Sequence, residues 1–84
     1  MARIGLVAHD DKKDDLCLWA ERHRDKLSVH ELWGTGTTGS RVMAATGLEV
    51  SLLKSGPLGG DQQLGAMICE GRLDVLIFFI DPLS

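Results

Sequence analysis

Residues able to hold an anion or move a proton are bunched in a few short stretches: His9 and Asp10 in AHD with Lys13 just beyond, the hydroxyl-rich GTGTTG (residues 34–39), SGPLGGD ending in Asp61, and DPLS opening on Asp81. Glycines and hydroxyls where a helix begins offer free backbone N–H groups and a positive dipole end to a phosphate. The same six residues also read as a turn with Thr37 or Thr38 as an N-cap. Their spacing matches neither G-x-G-x-x-G nor G-x-x-x-x-G-K-[ST], so the dinucleotide and NTP fingerprints are absent. Lys13 could add a point charge to the same anion or lie solvated on the surface. His9, at a strand end, reads as a ligand-binding or proton-transferring imidazole or as a hydrogen-bonded structural one. Asp61 precedes a helical stretch and reads as an N-cap or as a base. Asp81 precedes Pro82, which keeps it out of helical geometry. Two carboxylates, a histidine and a phosphate cradle together suit proton abstraction from a phosphorylated carbonyl compound. His23 and His30 show no metal-ligand spacing with the cysteines or acids.

The elements that must position these residues alternate. RIGLVA (residues 3–8) reads as a buried strand, HDDKKDD as a polar helix start, and the helix that follows has Leu16, Trp19, Ala20 and Leu27 on its apolar side. VHELW predicts a second strand running into the GTGTTG loop, with a short helix over SRVMAAT stopped near Gly47. LEVSLL predicts a third strand, and DQQLGAMICE a helix with Leu64, Met67 and Ile68 inward and Gly71 as its stop. DVLIFFI predicts a fourth strand, and its VLIFFI run, without polar alternation, reads as buried on both faces. The fold class implied is α/β, a doubly wound parallel sheet in three α/β/α layers. In such sheets ligands bind beyond the carboxyl ends of the strands, which is where the chemistry-bearing stretches fall.

With 84 residues the chain affords one small domain, and domains of that size bury roughly 60% of the surface the unfolded chain exposes. The 12 acids and 9 bases give a net charge of -3 without long like-charge blocks, which argues against a nucleic-acid footprint or a basic membrane-binding face. Cys17 and Cys69 sit in apolar helical patterns and read as small buried thiols, consistent with a reducing cytoplasmic location. No signal-like h-region opens the chain, and VLIFFI is too short to span a bilayer.

The ordered set VAHD, TGTTG, SGPLGGDQQ and DVLIFFIDPL resembles the methylglyoxal synthase family over essentially all 84 residues. The most specific part is SGPLGGDQQ followed by IFFIDPL; TGTTG alone is a weak signal. The resemblance implies a methylglyoxal synthase-like fold and conversion of dihydroxyacetone phosphate to methylglyoxal and inorganic phosphate, with no metal or organic cofactor. Carried over by position, it makes Asp61 the base that removes a proton beside the carbonyl. It puts the phosphate among Lys13, Thr35, Gly36, Thr37, Thr38, Ser55 and Gly56, with His9 at the substrate and Asp10 and Asp81 as supporting catalytic acids. A homo-oligomer, a hexamer, and inhibition by phosphate are implied in the same way. Family members continue past the DPL segment with another histidine, an aspartate and a distant arginine. The resemblance therefore implies that residues 1–84 are a single domain incomplete at its C-terminus, with the apolar face of its last strand bare. The same fold serves as a regulatory domain in carbamoyl phosphate synthetase, so a phosphate-sensing module without catalysis, or an inactive scaffold, remains a further reading.

Overall fold

A computed structural model describes residues 1–53 and 60–80, with the backbone alone at Gly60 and Asp61. The run RIGLVA forms β1 (Arg3–Ala8), an inner strand whose residues from Ile4 to Ala8 are all buried. A single 3-10 turn (Asp10–Lys12) leads into α1 (Lys13–Arg22) and a short α2 (Arg24–Leu27). Then follow β2 (Glu31–Thr35), α3 (Gly36–Thr46), β3 (Val50–Leu53), α4 (Gly60–Cys69) and β4 (Val75–Phe79). The strands are ordered β3-β2-β1-β4 and every pairing is parallel.

This order makes the sheet doubly wound. The chain steps outward from β1 to β2 to β3, then α4 carries it back to β4 on the far side of β1. Right-handed crossovers running in opposite directions must lie on opposite faces, and two core clusters show this. Ile4, Leu6 and Ala8 of β1, with Leu32 and Val50, pack under Leu16 and Ala20 of α1, Leu27 of α2 and Val42 of α3. Val7, pointing the other way by strand alternation, packs with Leu64 and Met67 of α4 and with Leu73. The three-layer α/β/α arrangement is the one the alternating sequence pattern implied.

Helix α3 lies close against β2 because glycines meet there. A Cβ on Gly34 would stand 3.0 Å from the Gly39 Cα and 3.4 Å from the Leu6 carbonyl oxygen, so only a bare backbone allows the approach. At the other end, Gly47 takes φ 74° and donates its N–H to Met43 O at 2.8 Å, closing α3 in a left-handed conformation that glycine adopts without steric cost. Gly71 ends the α4 segment in the same conformation (φ 71°). Both stops are where the sequence pattern put them.

Four expectations are corrected. β2 extends through Gly34 and Thr35, and α3 begins at Gly36 rather than Ser40, so most of GTGTTG is helix and not loop. The first helix is interrupted at His23, whose N–H reaches both Trp19 O and Ala20 O and whose carbonyl accepts the Leu27 N–H at 2.9 Å, and Leu27 falls in the separate α2. Ile68 is exposed, since it lies at the margin of the Leu64–Met67 stripe, and Cys69 is exposed with it. The VLIFFI strand is not buried on both faces: among the described residues β4 pairs with β1 alone, leaving Val75, Leu76, Phe78 and Ile80 exposed.

Candidate functional site

All four strands run the same way, so their carboxyl ends share one edge of the sheet, and β1 and β4 flank the point where the winding reverses. His9 follows β1 directly and donates its backbone N–H to Phe79 O at 3.0 Å, which fixes it beside the end of β4. Its ring meets the ring of Phe78 edge to face, with centroids 5.5 Å apart and planes at 86°.

Next along the chain, Asp10 and Lys13 form an ion pair across the 3-10 turn, with Lys13 Nζ donating to Asp10 Oδ1 at 2.6 Å. The two partners are unlike: the Lys13 side chain is 14% exposed and the Asp10 side chain 93%. The lysine is anchored in the fold and the aspartate is a solvated lid over its charge. Bonding to the Lys13 ammonium, reinforced by its positive charge, holds the Asp10 carboxyl below the usual carboxylate range.

The end of β2 supplies the second half of the edge. Thr35, extended at φ -64° and ψ 151°, stands at the N-cap position of α3, yet no side-chain oxygen caps the helix. The reading of Thr37 or Thr38 as N-cap is therefore corrected: both belong to the first turn. Thr37 is exposed, whereas Thr38 is 2% exposed and its Oγ1 has no hydrogen-bond partner among the described residues. Uncapped N–H groups at the start of an 11-residue helix, beside a buried hydroxyl that lacks a partner, form a donor-rich site suited to an anion. α1 and α3 open from the same edge and lie on the same face of the sheet, tied by the Arg41–Asp14 ion pair. Lys13 and the start of α3 thus converge at one end of that helix pair.

Asp61 stands in the first turn of α4, one residue past the helix start and not at the cap position, on the opposite face of the same edge. Ser55, Gly56 and Asp81 lie outside the described residues. The histidines set aside in the sequence have structural partners: His30 Nδ1 accepts the Ala2 N–H at 2.9 Å, and His23 Nδ1 lies 2.9 Å from Trp19 O with its ring against the Trp19 indole. Cys17 is half-buried, and burial pushes its thiol above the ordinary range, away from the reactive thiolate. Among the described residues no three or more His, Cys, Asp or Glu side chains are grouped as a metal site would need. No helix among them is long and apolar enough to cross a membrane.

Sequence reasoning did not anticipate that the Phe78 ring would meet His9. The signal was available in the strand parity: in VLIFF, Phe78 and Phe79 must face opposite ways, and only one of them can be core.

Comparison with known proteins bears on this geometry. A family profile described as MGS-like domain matches residues 15–84. The methylglyoxal synthase of Acholeplasma laidlawii is 56% identical over 82 residues, which are 98% of this chain and 67% of that protein. The methylglyoxal synthase of Leptospira interrogans is 57% identical over 82 residues, covering 55% of its length. The crystal structure of a methylglyoxal synthase from Elizabethkingia anophelis superposes with a TM-score of 0.95 at 54% identity, over 98% of this chain and 54% of the other. The chain thus spans between about half and two-thirds of the length of these relatives.

Proposed function

Since the chain belongs to the MGS-like domain family, we propose that residues 1–84 are one domain carrying a dihydroxyacetone phosphate site, at which the phosphate ester is converted to methylglyoxal and inorganic phosphate. One observation carries the reading: the uncapped first turn of α3 with the buried, partnerless Thr38 hydroxyl at the carboxyl edge. A buried hydroxyl left without a partner costs about 1–3 kcal/mol, a cost that a bound oxyanion removes.

In this proposal the phosphate sits against the backbone of Gly36, Thr37 and Thr38, with the hydroxyls of Thr35 and Thr38, the Ser55–Gly56 segment and the Lys13 ammonium completing the cradle. Asp61 takes a proton from the hydroxymethyl carbon beside the carbonyl. A carboxylate in the first turn of a helix is favoured in its ionised, proton-accepting form by the helix dipole. The pair of electrons left behind forms an enediolate, which then expels phosphate by breaking the C–O bond at the other carbon. The remaining enol regains a proton and becomes methylglyoxal, so atoms balance without water or an oxidant. The charge that grows on the leaving phosphate is met by donors already oriented, and one such donor is worth about 3 kcal/mol of barrier. His9 lies at the carbonyl end, and Asp10 and Asp81 are supporting acids, Asp10 by holding Lys13 in place. A homo-oligomeric state and inhibition by free phosphate belong to the same proposal.

The test is a phosphate titration followed by backbone amide shifts. Gly36, Thr37 and Thr38 respond saturably, and Thr38→Val weakens binding about tenfold, the loss of one hydrogen bond to a charged group. Unresponsive amides at these three residues contradict the cradle. A second reading, a phosphate-binding domain without turnover, is favoured by the same uncapped first turn of α3, which can hold an anion without a base. It predicts the same amide shifts and no methylglyoxal.

A further inference from the structure

Two histidines present Nδ1 to opposite kinds of partner, which fixes opposite tautomers. His30 Nδ1 stands 2.9 Å from the Ala2 backbone nitrogen, a donor, so Nδ1 is the bare, accepting nitrogen and the ring proton is on Nε2. His23 Nδ1 stands 2.9 Å from Trp19 O, an acceptor, so there the proton is on Nδ1. Adding a proton to each ring then has unlike effects. His23 takes it at Nε2 and keeps its bond; His30 takes it at Nδ1 and loses the lone pair that the Ala2 N–H uses.

The Ala2–His30 bond joins the residues that lead into β1 and β2, at the end of the sheet opposite the candidate site. Ala2 is tied there a second time, because its carbonyl accepts the Glu31 N–H at 2.9 Å, and it packs against the larger core cluster. His30 also lines a cleft of about 340 Å³, to which the end of α2 brings Leu27 and Ser28, both uncharged, β2 brings Glu31, and the β3 side brings Glu49 and Ser51. On the β1 side, Arg3 and the Met1 ammonium both act on Asp74, and Arg3 also on Glu31. A neutral His30 ring therefore has a backbone N–H to accept from, and a charged one has two carboxylates in its cleft.

We propose that His30 is a pH-sensitive latch: neutral, it holds Ala2 through Nδ1; charged, it releases Ala2 and turns to the carboxylates of Glu31 and Glu49. Imidazole is the side chain whose charge ordinarily changes between about pH 5 and 8. Release loosens the entry to β1 and changes the wall of the cleft. The latch stands apart from the proposed reaction, whose residues lie at the other end of the strands.

The experiment follows ring and backbone nitrogens of the full chain by NMR from about pH 8 to about pH 5. At the upper end, ring nitrogen shifts show the bare nitrogen at Nδ1 in His30 and at Nε2 in His23. As the His30 ring charges, the Ala2 amide moves to its solvent-exposed position with the same midpoint, and its protection from exchange, corrected for the intrinsic rate, falls about fivefold. His30→Phe, which keeps a flat ring but offers no acceptor, leaves the Ala2 amide in the released position at every pH. Glu49→Gln, which removes one carboxylate favouring the charged ring, moves the shared midpoint of ring and amide to lower pH. The parent titration decides the matter whatever the stability of the variants. An Nδ1–H tautomer for His30 at the upper end, or an Ala2 amide that keeps its position while the ring charges, overturns the proposal.

Discussion

The Asp10–Lys13 pair sets the electrostatics of the edge. Lys13 is nearly enclosed and would be a costly lone cation, while Asp10 is solvated and gives up little by pairing. Lys13→Ala returns the Asp10 carboxyl upward to its ordinary range, seen as a higher midpoint in an NMR titration of its side-chain carbon. Because the folded-state value is depressed, the pair contributes above the unfolded-state value and is lost as pH falls through the folded one. The same sign applies to Asp74, which accepts from the Arg3 guanidinium and backbone N–H. Urea midpoints therefore fall as the pH drops below the ordinary carboxylate range, and fall less in Lys13→Ala. A pH-independent difference between the two proteins would contradict the assignment. His9, Asp10 and Lys13 were legible as residues, because a strand end followed by acids and a lysine is a local pattern. The lid-and-anchor relation of Asp10 to Lys13 was not, since it depends on how deeply α1 sinks against the sheet.

At the scale of elements, the contact between β2 and α3 decides where the proposed cradle stands. A Cβ at Gly34 would press on backbone atoms, the Gly39 Cα at 3.0 Å and N at 3.3 Å, which cannot rotate away. At Gly47 there is open space around the missing Cβ, and the obstacle is the left-handed φ alone. Gly34→Ala thus costs about 1–3 kcal/mol by overpacking and shifts the amides of Gly36–Thr38. Gly47→Ala costs about 1–2 kcal/mol from the left-handed backbone and leaves those amides in place. Urea unfolding with amide spectra separates the two, and equal amide perturbation would contradict the close-packing account. The stop at Gly47 was legible because a glycine after an amphipathic run has one local meaning. The start of α3 was not: a glycine–threonine run favours turns locally, and close packing of Gly39 on Gly34 makes it helical instead. Likewise VLIFFI names a strand by composition, while its position at the sheet edge depends on the crossover through α4.

Among the described residues two thin cores share one four-stranded sheet, and the smaller is built on Val7, Leu64, Met67 and Leu73. With 84 residues the chain lies only just above the size, about 80 residues, below which a single core rarely supplies more than about 3–5 kcal/mol. Leu16, fully buried under α1, is worth about 2–5 kcal/mol by Leu→Ala. Leu16→Ala is accordingly expected to leave a large unfolded fraction at room temperature, read by far-UV circular dichroism; a cooperative fold with unchanged midpoint would contradict this core. The parallel α/β plan was legible from alternation alone, since no other layering buries both stripes of such a sequence. The central claim is that the edge where β1, β2 and α4 converge performs the elimination. Its most direct measurement is release of methylglyoxal and inorganic phosphate from dihydroxyacetone phosphate by the parent chain and by Asp61→Asn. The account predicts equal release of both products by the parent and a loss of about a hundredfold or more in the variant, whereas no release by the parent, or release that Asp61→Asn leaves unchanged, would contradict it.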